Sequence, residues 1–299
     1  MPNWNEVLTE IQNCGRTNAL DFVRRHHLKE FSDYRGRNTI AYYSGWLQKS
    51  GNAKSSINDD DKNGLMATIH KMDRKLGLDL ILHTPGGDIA ATESIIDYLQ
   101  RMFDGNIHAF IPQLAMSAGT MIACSTKCIF MGKESSIGPI DPQFGGIPCH
   151  SILKEFEDAI TAIKKDPASL PAWQSILSKY HPTLLGECKK AIDLSSEIVL
   201  KQLESVMFAG DKNSKKKAKN VINKLNEHES TKIHARHLSI DDAKQCGLKI
   251  CDLEKDSKLQ DLLLTVHHCY MHTFANSAAV KIVENQNGIA VVTMSGVQP

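Results

Sequence analysis

Residues 78–83, LDLILH, form a nearly unbroken apolar run. Just past Thr84-Pro85-Gly86-Gly87-Asp88, apolar residues return at helical spacing as Ile89, Ile96, Leu99 and Phe103. A strand that is apolar throughout needs cover on both faces. A helix joined to it by so short a turn must fold back over the sheet. These two constraints predict an α/β chain with parallel strands. The adjacent glycines Gly86 and Gly87 go further than a plain turn requires, because they let another group approach bare backbone N–H donors.

The unit repeats. IHAFI (107–111) reads as the next strand, SAGTMIACS (117–125) as a short helix of small residues, and CIFM (128–131) as another strand. Before them, 4–27 reads as a helix, NTIAYYS (38–44) as a strand and about 60–75 as a helix. Residues 151–228 read as almost wholly helical. Ser239 stands three residues before Asp242 in a capping-box pattern that closes at Gly247. The expected organisation is an N-terminal helical segment (1–30), a catalytic domain (31–255) and a helical tail (256–299).

Composition narrows the function classes. With 35 basic and 34 acidic residues, the 299-residue chain lacks the basic excess of a nucleic-acid binder. The basic run at 212–220 reads as a solvated helix start. The longest uncharged stretch, 106–126, carries His108, Pro112, Gln113, Ser117 and Thr120, which fits strand, loop and buried helix better than a membrane span. The first residues show no basic-then-apolar leader, so a cytoplasmic location and eight reduced cysteines are expected. Cys124 and Cys128 straddle a helix end and a strand start, and His268 and His272 lack a third ligand. Neither pair predicts a metal site, and no cofactor is expected.

In an open α/β sheet, ligands sit beyond the carboxyl ends of the strands. Two such ends stand out: HTPGGD (83–88) and PQLAMSAGT (112–120). Ser117 lies at a helix start among Ala115, Ala118 and Gly119, small neighbours that admit a substrate. The plain alternative is a helix-capping serine. Against it, an N–H from Gly86 or Gly87 can pair with that of Ala118 to hold an oxyanion. A serine nucleophile needs a base, and His150 and Lys154 are the candidates. With Ser151 as N-cap, Lys154 would be the third helical residue, where the helix dipole disfavours its charge. Ile152, Leu153 and Phe156 would desolvate it. The plain alternative is a surface lysine beside Glu155 and Glu157.

HTPGGD, AMSAGTMIA and SSIGPIDPQFG (135–145), in this order, resemble the Clp and signal-peptide-peptidase group of serine peptidases. The similarity is strongest to the serine dehydrogenase proteinase family. The resemblance implies a crotonase/Clp-like ββα superhelix with a helical insertion or arm and terminal helices. It implies Ser117 as nucleophile, Gly87 and Ala118 as oxyanion donors and Lys154 as base. It also implies a substrate strand laid along Ser136, Ile137, Gly138 and Asp141. Gly138–Gln143 contains no histidine, so a Clp-type triad is not implied. The activity the resemblance implies is cleavage of unfolded proteins or peptides by a Ser-Lys dyad in a homo-oligomer; the chain has no G-x-x-x-x-G-K-[ST] loop, so cleavage without ATP is expected. No nucleic-acid partner and no stable membrane insertion are implied.

Three other readings fit parts of the sequence. SILK (151–154) matches S-x-x-K with Ser151 as nucleophile, although no K-T-G strand accompanies it. The same oxyanion hole could polarise an acyl thioester, as in crotonase-like enzymes. The helical region could also serve a non-catalytic scaffold.

Overall fold

The computed structural model describes residues 4–226 and 236–296. Its centre is a seven-stranded sheet in the order β11-β10-β1-β2-β3-β5-β9. Strands β1 (Asn38–Ser44), β2 (Leu78–His83), β3 (Ile107–Ile111), β5 (Cys128–Met131) and β9 (Ile250–Asp252) run parallel. β10 (Ala279–Asn285) joins β1 antiparallel, and β11 (Ala290–Met294) pairs with β10.

Alternate residues of each strand feed two cores. Ile40, Tyr42, Leu80, Leu82, Ala109, Ile111, Ile129 and Met131 face one side. There they meet α3 (Asp60–Ile69), α4 (Ile89–Phe103), α5 (Ala118–Cys124), α8 (Leu184–Gln202), α9 (Ser214–Asn226) and α10 (Ile240–Cys246). Ala41, Tyr43, Ile81 and Phe110 face the other, against α2 (Ala19–Arg35) and α11 (Ser257–Asn276). Every residue of β1 and β2 is buried, as the apolar run of β2 requires.

Two expectations change. The helix expected at 4–27 is two, α1 (Trp4–Asn13) and α2, broken at Gly15, whose φ of 66° lies in the left-handed region. Leu28 and Phe31 of α2 pack in one core with Phe110 and Tyr270. The tail is not wholly helical. After α11 it forms the β10–β11 hairpin, with Glu284 of β10 bound by Arg24, Arg25 and Tyr270. An exposed carboxylate could sit anywhere, but this one is fully buried, so its paired cations fix β10 in place.

The expected helical region comprises α6 (Cys149–Lys165), α7 (Leu170–Leu177), α8 and α9, with a π-helical turn at Leu203–Met207. Its last two residues, 227 and 228, lie outside the described residues. The capping box is present: Ser239 Oγ accepts from Asp242 N–H, and Gly247 closes α10 with φ 99°.

Candidate active site

Two loops at the carboxyl end of the sheet are stitched together. Thr84 N–H donates to Leu114 O at 3.1 Å, and Met116 N–H donates to Thr84 O at 3.0 Å. This joins the turn after β2 to β4 (Leu114–Ala115) and sets Ser117 beside Gly86. The contact leaves no room for side chains. A Cβ on Gly86 would fall 2.8 Å from Ser117 Cβ and 3.0 Å from Ala118 N, and one on Gly119 would fall 2.5 Å from Thr84 Cγ2.

Ser117 stands before α5 with φ 51° and ψ −114°. Non-glycine residues adopt this region only when their surroundings hold them there, and such strain collects at functional sites. Its side chain makes no capping bond to α5. The helix-capping reading of Ser117 therefore has no bond to rest on.

The N–H groups nearby divide into engaged and available ones. Gly86 N–H donates to Thr84 Oγ1 at 3.2 Å, and Gly119 N–H to Met116 O at 2.8 Å. Ile57 holds the turn from its other side: Ile57 N–H donates to Gly86 O, and Asp88 N–H donates to Ile57 O. Among the described residues, no hydrogen bond takes up the N–H of Gly87 or Ala118. Of the two glycines, Gly87 is thus the one with a donor to offer. Gly87 also needs to be glycine, because a Cβ there would come within 2.3 Å of Ile57 N and O.

One contributor escaped sequence reasoning. Thr120, fully buried in α5, accepts from Gly138 N–H at 3.0 Å, and its hydroxyl lies 2.9 Å from both Gly138 O and Ala115 O. It fixes Gly138 against Ser117, where a Cβ on Gly138 would meet Ser117 N at 3.2 Å. The signal was available: Thr120 is the last residue of SAGT, one turn beyond the serine.

A cleft of about 490 Å³ opens over Ser117. Pro85–Ile89, Met121, Ile140, Pro142–Phe144 and Ala191 line it. The expected substrate strand on Ser136–Gly138 meets an obstacle. β6 (Ser136–Ile137) is paired with β4 on one side, and Ser136 N–H donates to Gln113 O. On the other side, Ile137 N–H and C=O both bond to Leu238. The backbone polar groups of Ile137 and Gly138 are already engaged within the chain, and Asp141 is buried. Pro142–Phe144 line the same cleft as the glycine turn, and Gln143 and Phe144 are exposed in β7 (Gln143–Phe144).

Lys154 is not among the residues that line this cleft. α6 starts at Cys149 after Pro148, so Ser151 is inside the helix and Lys154 is its sixth residue, counting from 149. At the sixth helical position Lys154 lies beyond the first turn, where the helix dipole acts. Its side chain is not desolvated either: it is 63% exposed and paired with Asp158. Among the described residues that line the cleft there is no lysine or histidine. His150 and Ser151 sit beside Lys154 in the first turns of α6, outside the cleft lining.

The nearest histidine in sequence to the glycine turn, His83, is fully buried at the end of β2. Its Nδ1 lies 3.2 Å from Ser44 O, and its Nε2 lies 3.0 Å from Gln113 Oε1. Burial pushes its pKa down to about 4. Both ring nitrogens face acceptor oxygens, and a neutral ring donates from one of them. His83 thus braces the turn rather than exchanging protons with Ser117.

Elsewhere, His26, His27 and exposed Glu30 form the single cluster among the described residues whose donors could converge on a cation. His272 is occupied otherwise, with Nε2 3.2 Å from Trp4 O and its ring 4.0 Å from the Trp4 ring. No helix among the described residues is long and apolar enough to cross a membrane.

The profile of a family described as ClpP-like SDH-type serine proteinase matches residues 52–280, from before α3 to the start of β10. The uncharacterized protein MJ0137 of Methanocaldococcus jannaschii is 28% identical over 236 residues, covering 78% of this chain and 73% of that protein. A second uncharacterized protein of the same organism, MJ1495, is 29% identical over 194 residues, covering 65% of this chain and 59% of its own length.

Proposed function

Because this chain belongs to the ClpP-like SDH-type serine proteinase family, we propose that it is a serine peptidase whose nucleophile is Ser117. The observation that carries this reading is the strained backbone of Ser117, pressed against Gly86 and flanked by the unspent N–H groups of Gly87 and Ala118.

In this mechanism Ser117 Oγ attacks the scissile carbonyl carbon as a base removes its proton. The oxyanion is held by Gly87 N–H and Ala118 N–H, already oriented by the stitched loops. Collapse breaks the C–N bond, and the protonated base supplies a proton to the departing amine. Water then attacks the acyl-enzyme in the same geometry and regenerates the serine.

Lys154 is the proposed base, reaching the serine after rearrangement of α6. Residues Phe144 and Gly146 line the cleft, and the hairpin of β7 and β8 (Ile147–Pro148) runs straight into α6. Movement of that hairpin on substrate binding or assembly would carry the first turns of α6 with it. Lys154 would then exchange Asp158 for the serine hydroxyl. An extended peptide fits between Gly87–Ile89 and Pro142–Phe144, taking main-chain hydrogen bonds as an added strand.

The substrates proposed are unfolded polypeptides or peptides, cleaved without ATP by a cytoplasmic homo-oligomer. The test is degradation of a permanently unfolded polypeptide by wild type and by Ser117→Ala. Loss of cleavage in Ser117→Ala alone supports the reading. Equal cleavage by both proteins removes Ser117 from the chemistry.

A further inference from the structure

At the opposite end of the sheet from the Ser117 cleft lies a cluster of polar and sulfur groups that the peptidase reading does not use. Asp79 of β2, His108 of β3 and Cys128 of β5 stand side by side in one row, because the strand registers pair Asp79 with His108 and His108 with Cys128. Next to this row runs β9, where Cys251 is opposite Phe130 and hence diagonal to Cys128 on the same face. Both cysteines are half-buried, and each thiol acts on the other's proton affinity. The Arg35 guanidinium lies over the Phe130 ring at 5.0 Å and pairs with Asp79 at 2.6 Å.

We propose that Cys251 and Cys128 form a peroxide-reactive dithiol, with Cys251 the attacking thiolate and Cys128 the resolving thiol. The environment distinguishes the two sulfurs. The hydrogen bond from Cys128 and the charges of Arg35 and Lys255 draw the Cys251 pKa down to about 7, against an opposing push from burial. The lowering favours the Cys251 thiolate, the species that reacts. Donation to Cys251, burial and the Asp79 carboxylate keep the Cys128 proton in place, while Arg35 acts in the opposite sense.

The chemistry balances with hydrogen peroxide as oxidant. The Cys251 thiolate attacks one peroxide oxygen; an S–O bond forms, the O–O bond breaks, and hydroxide leaves. The Cys128 sulfur then attacks the Cys251 sulfenic sulfur. An S–S bond forms, the S–O bond breaks, and the departing hydroxide takes up the Cys128 proton as water. The dithiol loses two electrons, and the peroxide is reduced to two waters. Closing the bond draws β9 along β5. That shift is feasible because β9 is a three-residue strand at the sheet edge. A diagonal bridge is also strained, which makes it easy to reduce again.

The other half-buried thiol, Cys14, lies in a different core, and Cys124, Cys149, Cys188, Cys246 and Cys269 are buried. Treatment of the full chain with one equivalent of hydrogen peroxide, followed by intact mass and peptide mapping, tests the assignment. The expected product is two hydrogens lighter, with a Cys128–Cys251 linked peptide that a thiol reductant dissolves. Cys128→Ser should stop at a dimedone-trapped sulfenate on Cys251, and Cys251→Ser should give neither product at this site. A disulfide joining other cysteines, or dimedone labelling of Cys128 instead of Cys251, would overturn it. So would a full chain left unoxidised at this pair.

Discussion

Gly86 lies so close to Ser117 that a methyl group on it would come within 2.8 Å of the serine Cβ, at a backbone φ of 97°. This contact joins two distant turns into one site. It also couples the strain of Ser117 to the glycine turn that faces it.

Gly86→Ala should therefore injure catalysis more than folding. The new methyl group must displace Ser117 or Ala118 N, and displacement of reacting groups by about 1 Å costs on the order of 100-fold in rate. The check is kcat for peptide cleavage alongside circular dichroism. A variant with normal kcat would show that the contact does not set the geometry of the serine.

Thr120→Val keeps the shape but removes the hydroxyl that clamps Gly138. Gly138 N–H and C=O would lose their Thr120 partner in a buried place, a cost of about 1–3 kcal/mol in stability. Urea denaturation should show that loss, and kcat should fall with it, because Gly138 borders Ser117 N. Stability within experimental error of wild type would contradict the clamp.

The base is tested by separating Lys154 from its partner. Lys154→Ala should reduce kcat about 100- to 10,000-fold, the usual range for general-base catalysis. Asp158→Ala, which removes one partner of the ammonium, should leave kcat unchanged or raise it. Full activity in Lys154→Ala would assign the proton transfer to another group.

His83 predicts an acid limit on stability. Its folded pKa of about 4 lies below the usual 6.5, so between these values the unfolded chain binds the proton and the folded chain does not. Stability is complete above pH 6.5, falls as the pH drops toward 4, and levels off below that. The size is about 3 kcal/mol from this group. Urea midpoints from pH 7 to 4 for wild type and His83→Gln should diverge, with the variant showing the shallower decline. Parallel profiles would contradict it.

The sequence makes the site's framework readable for a physical reason: its signals are local. The apolar run of β2, the Gly86-Gly87 turn, Asp88 as the cap of α4 and the small residues around Ser117 each follow from near neighbours. What stayed hidden depends on distant partners. Whether Ser136–Gly138 could accept a substrate strand depends on Leu238, which returns to bond Ile137 from 101 positions later (238 − 137). The orientation of Lys154 depends on where α6 begins, and Pro148 sets that start three residues ahead of Ser151. The end of the chain reads as helix through α11. Its final turn into the sheet is set by Glu284, which needs Arg24 and Arg25 from the other end of the chain.

The most direct test of the account is the target of an active-site phosphonylating reagent. A fluorophosphonate should label the wild-type chain at one residue, Ser117, with Ser117→Ala unlabelled while its fold and thermal transition remain those of wild type. Labelling that persists in Ser117→Ala, or that maps to Ser151, would contradict the account and move the nucleophile off the strained turn.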